Sequence, residues 1–205
     1  MGNSTARMSR GNAAAAQDAA AAQDAAAAQN PVKELKLRAK FLHRGVTRSD
    51  PAAVKRLRVL PELRRADDAA IVAQAGELRR KHCLAVVARE CGFPSWEHAL
   101  RALSGDVEIS EHGTLLYSSS GVLNHWFKDY DEAHAAWLEA RHTGLAFLLA
   151  YKRDYFVTGA AFVESLGLDP EDPDWEALGW NWVRPTNVEA RARLFYKRLR
   201  ARISA

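Results

Sequence analysis

Cysteine is nearly absent: the 205 residues contain two, Cys83 and Cys91. They stand eight apart on a stretch that reads as one helix, so a rise of about 1.5 Å per residue separates their Cα atoms by roughly 12 Å. A disulfide spans about 4.4 to 6.8 Å and cannot join them. No Cys-x-x-Cys or Cys/His spacing accompanies them, which leaves both as small core residues. Long apolar runs are missing too. No stretch of about 18 strongly apolar residues occurs, which argues against a membrane-spanning helix. The opening MGNSTA carries Ala6 where a myristoylation signal needs Ser or Thr. A secretory signal needs a continuous apolar stretch, and here alanine is interrupted by Gln17, Asp18, Gln23 and Asp24. A cytoplasmic location with no membrane association is expected.

Motifs that carry chemistry are equally scarce. The seven histidines include no His-x-x-x-His or His-Glu-x-x-His spacing, and His134 and His142 would be turned by about 80° on a helix, poor geometry for one ion. SSSG, Ser118 to Gly121, lacks the lysine and glycine pattern of a phosphate loop. His125 with Asp129 or Asp131 and a serine of that loop has no nucleophile-elbow sequence behind it. No catalytic residue, metal ligand or cofactor is therefore assigned.

What the chain does contain is helical pattern. Residues 13 to 30 repeat AAAAQD, AAAAQD, AAAAQN; six residues advance a helix by about 600°, which spreads the polar pairs evenly and leaves no apolar stripe. Residues 1–30 read as a frayed, solvated extension. Order is expected from Asn30, a natural cap before Pro31, with Val32, Leu35, Ala39 and Leu42 inward and Gly45 as the stop. Further helices are expected after Asp50-Pro51, with Val54, Leu57 and Leu60 inward, over Ala66 to Gly76, and over Glu77 to Cys91.

After Gly105 the texture changes. VEIS, Val107 to Ser110, and TLLYS, Thr114 to Ser118, have strand composition. Asp131 to His142 reads as a helix with Ala133, Trp137 and Ala140 on one face. LAFLLAY, Leu145 to Tyr151, is either a buried strand or the start of a helix. Short helices are expected near Ala160 to Leu166 and from Asp172-Pro173, and Asn187 should cap a last helix with Val188, Ala192, Phe195 and Leu199 inward. The expected fold is α-dominant α+β: an N-terminal helical domain over 31–105, then a small mixed domain over 106–205 with a few short strands and a basic C-terminal helix.

Charge is unevenly divided. Residues 31–105 carry 16 basic and 8 acidic groups, +8; residues 106–183 carry 4 and 14, −10; residues 184–205 carry 7 and 1, +6. One explanation is a nucleic-acid-binding part beside an acidic one. The other, which is preferred, is that the basic parts pack around the acidic middle within one chain or between two copies.

The stretch LAVVARECGFPSWEHALRAL, Leu84 to Leu103, reads as helix, turn, helix. Ala88 stands four residues before Gly92, as in DNA-reading helix-turn-helix units. Its second helix, however, offers only Glu97, His98 and Arg101, and base readers are more often Arg, Lys, Asn or Gln. Ala88, Gly92, Phe93 and Trp96 are better read as a structural corner. The run from Leu84 through Ala88, Gly92, Phe93 and Trp96 to Leu100 resembles the glyoxalase-related protein domain, a short bacterial helical segment, over about residues 77–103 and loosely 31–105. The resemblance implies a bacterial source and helix packing. It implies no catalytic residue, because the metal-binding βαβββ modules of glyoxalase chemistry are not visible.

Six tryptophans are present, five of them in the second half. Trp126, Trp180 and Trp182, with Arg191, Arg198 and Arg202 of the basic last helix, form the candidate partner surface. The expected function is non-catalytic binding or interaction, with protein, self or other, as partner. Nucleic-acid binding through the helix-turn-helix-like segment and the last helix is the alternative, and an enzyme of unknown type comes third.

Overall fold

A computed structural model describes residues 29–201, apart from 107 and 120. Of the expected frayed extension, residues 1–28 lie outside the described residues, as do Val107 and Arg202.

Helix α1, Pro31–Thr47, starts as expected: Asn30 Oδ1 accepts from the Lys33 N–H at 3.0 Å, and Pro31 has no N–H to satisfy. Leu35, Ala39, Leu42 and Val46 face inward and are buried. Each buried leucine contributes on the order of 1.5 to 3 kcal/mol. Gly45 does not stop the helix, which continues to Thr47. Its bare Cα instead admits the next element, α2 (Pro51–Arg56), because a Cβ at Gly45 would lie 2.8 Å from that of Ala53.

Two 3₁₀ turns, Leu57–Val59 and Pro61–Leu63, lead to α3 (Asp68–Ala73), α4 (Arg80–Glu90) and α5 (Trp96–Leu103). The acid-rich second half adds β1 (His125–Phe127), α6 (Tyr130–Thr143), β2 (Phe147–Tyr151), β3 (Asp154–Thr158), α7 (Ala160–Ser165), α8 (Pro173–Ala177) and α9 (Val188–Ala201). The fold is α-dominant α+β.

The strands form one antiparallel sheet in the order β1-β3-β2, with His125 opposite Val157 and Leu149 opposite Phe156. Alternation puts Phe147, Leu149 and Phe156 into the main core and Leu148, Ala150 and Val157 against α6. LAFLLAY thus resolves as a strand. The expected strands VEIS and TLLYS do not form among the described residues. The backbone between and at the start of them is spent elsewhere: His112 N–H donates to Lys152 O at 2.8 Å, Lys152 N–H to Gly113 O at 2.8 Å, and Thr114 N–H to Cys91 O at 2.9 Å. Ile109, Leu115 and Leu116 are buried without a ladder.

The main core cluster runs from Leu35 in α1 to Leu199 in α9, so it draws on described residues from both sides of Gly105. A smaller cluster, built on Trp137, Leu148 and Val157, lies between the sheet and α6.

Candidate interaction surfaces

The basic last helix faces inward. Asn187 Oδ1 caps α9 by accepting from the N–H groups of Glu189 and Ala190, both at 3.0 Å. From that start, Arg191 enters the core and is only 2% exposed. Its guanidinium donates to the carbonyls of Trp182 at 3.1 Å, Ala102 at 3.4 Å and Asp106 at 3.5 Å. Burial lowers its pKa to about 10, partly offset by the Asp106 charge. Two turns on, Arg198 donates to the carbonyls of Leu115 at 2.7 Å and Tyr117 at 3.3 Å, and to that of Leu166. On another side of the helix Arg193 donates to Asp174 at 2.9 and 2.6 Å, while Lys197 bridges Asp172 and Asp174 at 2.6 and 2.8 Å. Burial raises the Asp174 pKa, but these two cations outweigh it and hold the carboxyl below its ordinary value. The basic end of the chain is a staple across α5, the 106–117 segment, α7 and α8.

The candidate partner surface therefore needs correction at three positions. Arg191 and Arg198 are committed to internal carbonyls, and Trp182, 1% exposed, packs edge-on against Phe195 with centroids 4.4 Å apart. Trp180 is half-buried, and the Arg141 guanidinium carbon lies 3.8 Å from its ring centroid. Its carbonyl accepts from Leu148 N–H at 2.9 Å, and Trp182 N–H returns to Leu148 O at 2.9 Å, so this segment covers the outer edge of β2. Trp126 alone of the three tryptophans remains substantially exposed, at 43%, its ring tilted against that of Phe156 with centroids 4.5 Å apart.

The helical corner is a packing unit. Ala88 is buried, Gly92 has φ +79°, and Phe93 N–H returns to Ala88 O at 3.1 Å. Ser95 Oγ caps α5 by accepting from His98 N–H at 3.1 Å. The 112–115 segment lies over this turn: a Cβ on Gly92 would stand 2.7 Å from that of Thr114. Trp96 packs against the main core, His98 Nε2 lies 2.6 Å from Glu111 O, and Arg101 Nε donates to Asp106 at 2.7 Å. Little of α5 remains for reading bases.

Nearby, His112 is buried edge-on to Tyr155, and its Nε2 has no hydrogen-bond partner. Desolvation, with smaller contributions from Arg191 and His98, lowers its pKa to about 4. Among the described residues no group of three His, Cys, Asp or Glu side chains is arranged to hold a metal ion, and no helix is long and apolar enough to cross a membrane.

Two exposed faces stand out instead. On α1, Lys33, Lys36, Leu37, Lys40, Phe41 and Arg44 share about 140° of arc opposite the buried stripe, and Arg48 follows the helix end. Leu37 is 46% exposed and Phe41 58%, one turn apart. Among the described residues Lys36, Lys40, Arg44 and Arg48 make no ion pair. Neither Leu37 nor Phe41 figured in the sequence-based candidate surface, although both break the inward spacing of α1 and stand among lysines.

The second face is on α6. Glu132 and Glu139 are exposed on this helix, and a groove of about 290 Å³ opens between α6 and residues of β1 and β3. Leu123, His125, Ala136, Ala140 and Leu145 line it. Leu123 is 94% exposed and Leu145 40%. Thr158 also borders the groove and its hydroxyl has no partner, but alternation along β3 turns that side chain toward the main core with Phe156.

No family model matches the chain, and no similar protein was found among curated proteins or solved structures.

Proposed function

We propose that this chain is a non-catalytic interaction protein of the bacterial cytoplasm whose contact surface is the outer face of α1. The observation that carries the proposal is the pairing of exposed Leu37 and Phe41 with Lys36, Lys40 and Arg44, cations that have no ion-pair partner among the described residues. Apolar anchors surrounded by charge are the usual composition of a protein contact: the anchors supply area and the charges supply orientation and speed of encounter. The resemblance of residues 77–103 to the glyoxalase-related protein domain belongs to the same proposal as a packing unit, because Ala88 and Gly92 set the angle at which α4 and α5 support α1.

Nucleic-acid binding is the second reading, and one observation favours it: Phe41 stands among cations on an acid-free stripe, as stacking platforms do. It no longer draws on Arg191 or Arg198, whose guanidinium groups are internal.

A photo-crosslinking amino acid placed at position 41 in the living cell tests the first reading. A discrete protein adduct is expected there, with none from the same group at exposed Glu164 on α7. Failure to form any protein adduct at position 41 contradicts it. A salt-sensitive oligonucleotide shift abolished by Lys36→Glu with Lys40→Glu would put the second reading in its place.

A further inference from the structure

Lys36, Lys40 and Arg44 on α1 and Glu132 and Glu139 on α6 make no ion pair among the described residues, and each group shares its helix with apolar side chains that are not fully buried. On α1, Leu37 and Phe41 project from a basic stripe. On α6, exposed Glu132 stands one turn before Ala136 and exposed Glu139 directly precedes Ala140, and Ala136 and Ala140 line the groove with Leu123 and Leu145. The two faces belong to different layers: α1 packs on α4, α2 and α9, whereas α6 packs on the three strands. Leu37, Phe41, Leu123, Glu132, Glu139 and Leu145 are all exposed, so the two faces do not cover each other within one chain.

Resting on the interaction reading of α1, we infer that its partner is a second copy of this chain: Leu37 and Phe41 of one copy seat in the groove beside α6 of the other, with Lys36, Lys40 and Arg44 against Glu132 and Glu139. Charge complementarity singles out this occupant. Residues 31–105 carry +8 and residues 106–183 carry −10, and the basic last helix already neutralises Asp172 and Asp174 internally. The surplus acid that remains exposed on α6 is opposite in sign to the surplus base exposed on α1. A polyanion would account for the cations of α1 but would leave the groove and its glutamates unmatched, and an anionic lipid surface would repel them. A second copy satisfies both faces at once. Because the faces differ, each copy offers one knob and one groove, and the contact either closes as a two-fold pair or continues as a chain.

Sedimentation equilibrium of the purified full chain tests this inference. The mass is expected to rise with concentration at low salt. Lys36→Glu with Lys40→Glu, and separately Glu132→Lys with Glu139→Lys, should each weaken self-association by about tenfold or more. All four sites are exposed, so far-ultraviolet circular dichroism should be unchanged. Mixing the two variants should restore association, because reversed α1 then meets reversed α6, and so should combining all four substitutions in one chain. A monomeric wild type at every concentration, or variants that fail to rescue each other, overturns the inference. If the wild type is monomeric while position 41 still crosslinks to another protein in the cell, the second copy is excluded and the interaction role of α1 stands. If neither occurs, both fall.

Discussion

Arg198 Nε donates to the carbonyl of Leu115 at 2.7 Å, across 83 residues of chain. With Tyr117 and Leu166 as its other carbonyl partners, this guanidinium ties the last helix to a segment that has no strand or helix of its own.

Replacing Arg198 by Met should therefore lower stability by about 3 kcal/mol, because it leaves buried carbonyls unpaired. Lysine should recover little of the loss, since one ammonium cannot reproduce a planar fork reaching three oxygens. Urea unfolding checks this as a shift in midpoint at unchanged slope. If Arg198 were a partner contact, the substitution would alter binding and leave the midpoint in place.

Gly92→Ala should cost about 2 kcal/mol or more. The left-handed backbone at φ +79° contributes about 1 to 2 kcal/mol, and displacement of Thr114, whose Cβ would be 2.7 Å away, adds to it. Thermal unfolding is the measurement. A midpoint equal to that of the wild type would show that the corner does not need its glycine.

Acidification should destabilise the fold in a defined window. His112 has a folded pKa of about 4 against an ordinary value of 6.5, so the folded chain binds fewer protons than the unfolded one between those values. Its contribution is complete above about pH 6.5, declines as pH falls, and levels off below about pH 4, with a total on the order of 3 kcal/mol. Arg191, His98 and Tyr155 are the charged or titratable groups around it. His112→Phe should flatten the stability profile across that window. An unchanged slope would mean that the buried ring is not the group being titrated.

Much of the fold was legible because its signals are local. Asn30, Asp50, Ser95 and Asn187 cap the helices that sequence spacing places after them, and Leu35, Ala39 and Leu42 bury as their periodicity requires. The sheet was less legible. TLLYS has strand composition, yet Leu115 and Leu116 bury against the corner while Thr114 pairs with Cys91, a partner 23 residues away that composition does not reveal.

The surface was legible only in part for a related reason. Arg191 and Arg198 look like solvated charge in the sequence, and their true partners are carbonyls of Ala102, Leu115 and Trp182, groups that every residue possesses and no pattern marks. Leu37 and Phe41 did carry a readable signal: apolar residues four apart, outside the inward stripe and among lysines.

Hydroxyl-radical footprinting of the full chain, dilute and purified, then in extract of the cells that produce it, tests the central claim most directly. Leu37 and Phe41 should oxidise rapidly in the dilute chain and become protected in extract, while Trp182 stays unreactive in both. Rapid oxidation of Trp182, or equal reactivity of Phe41 in the two conditions, would contradict an inward last helix paired with an outward-reaching α1.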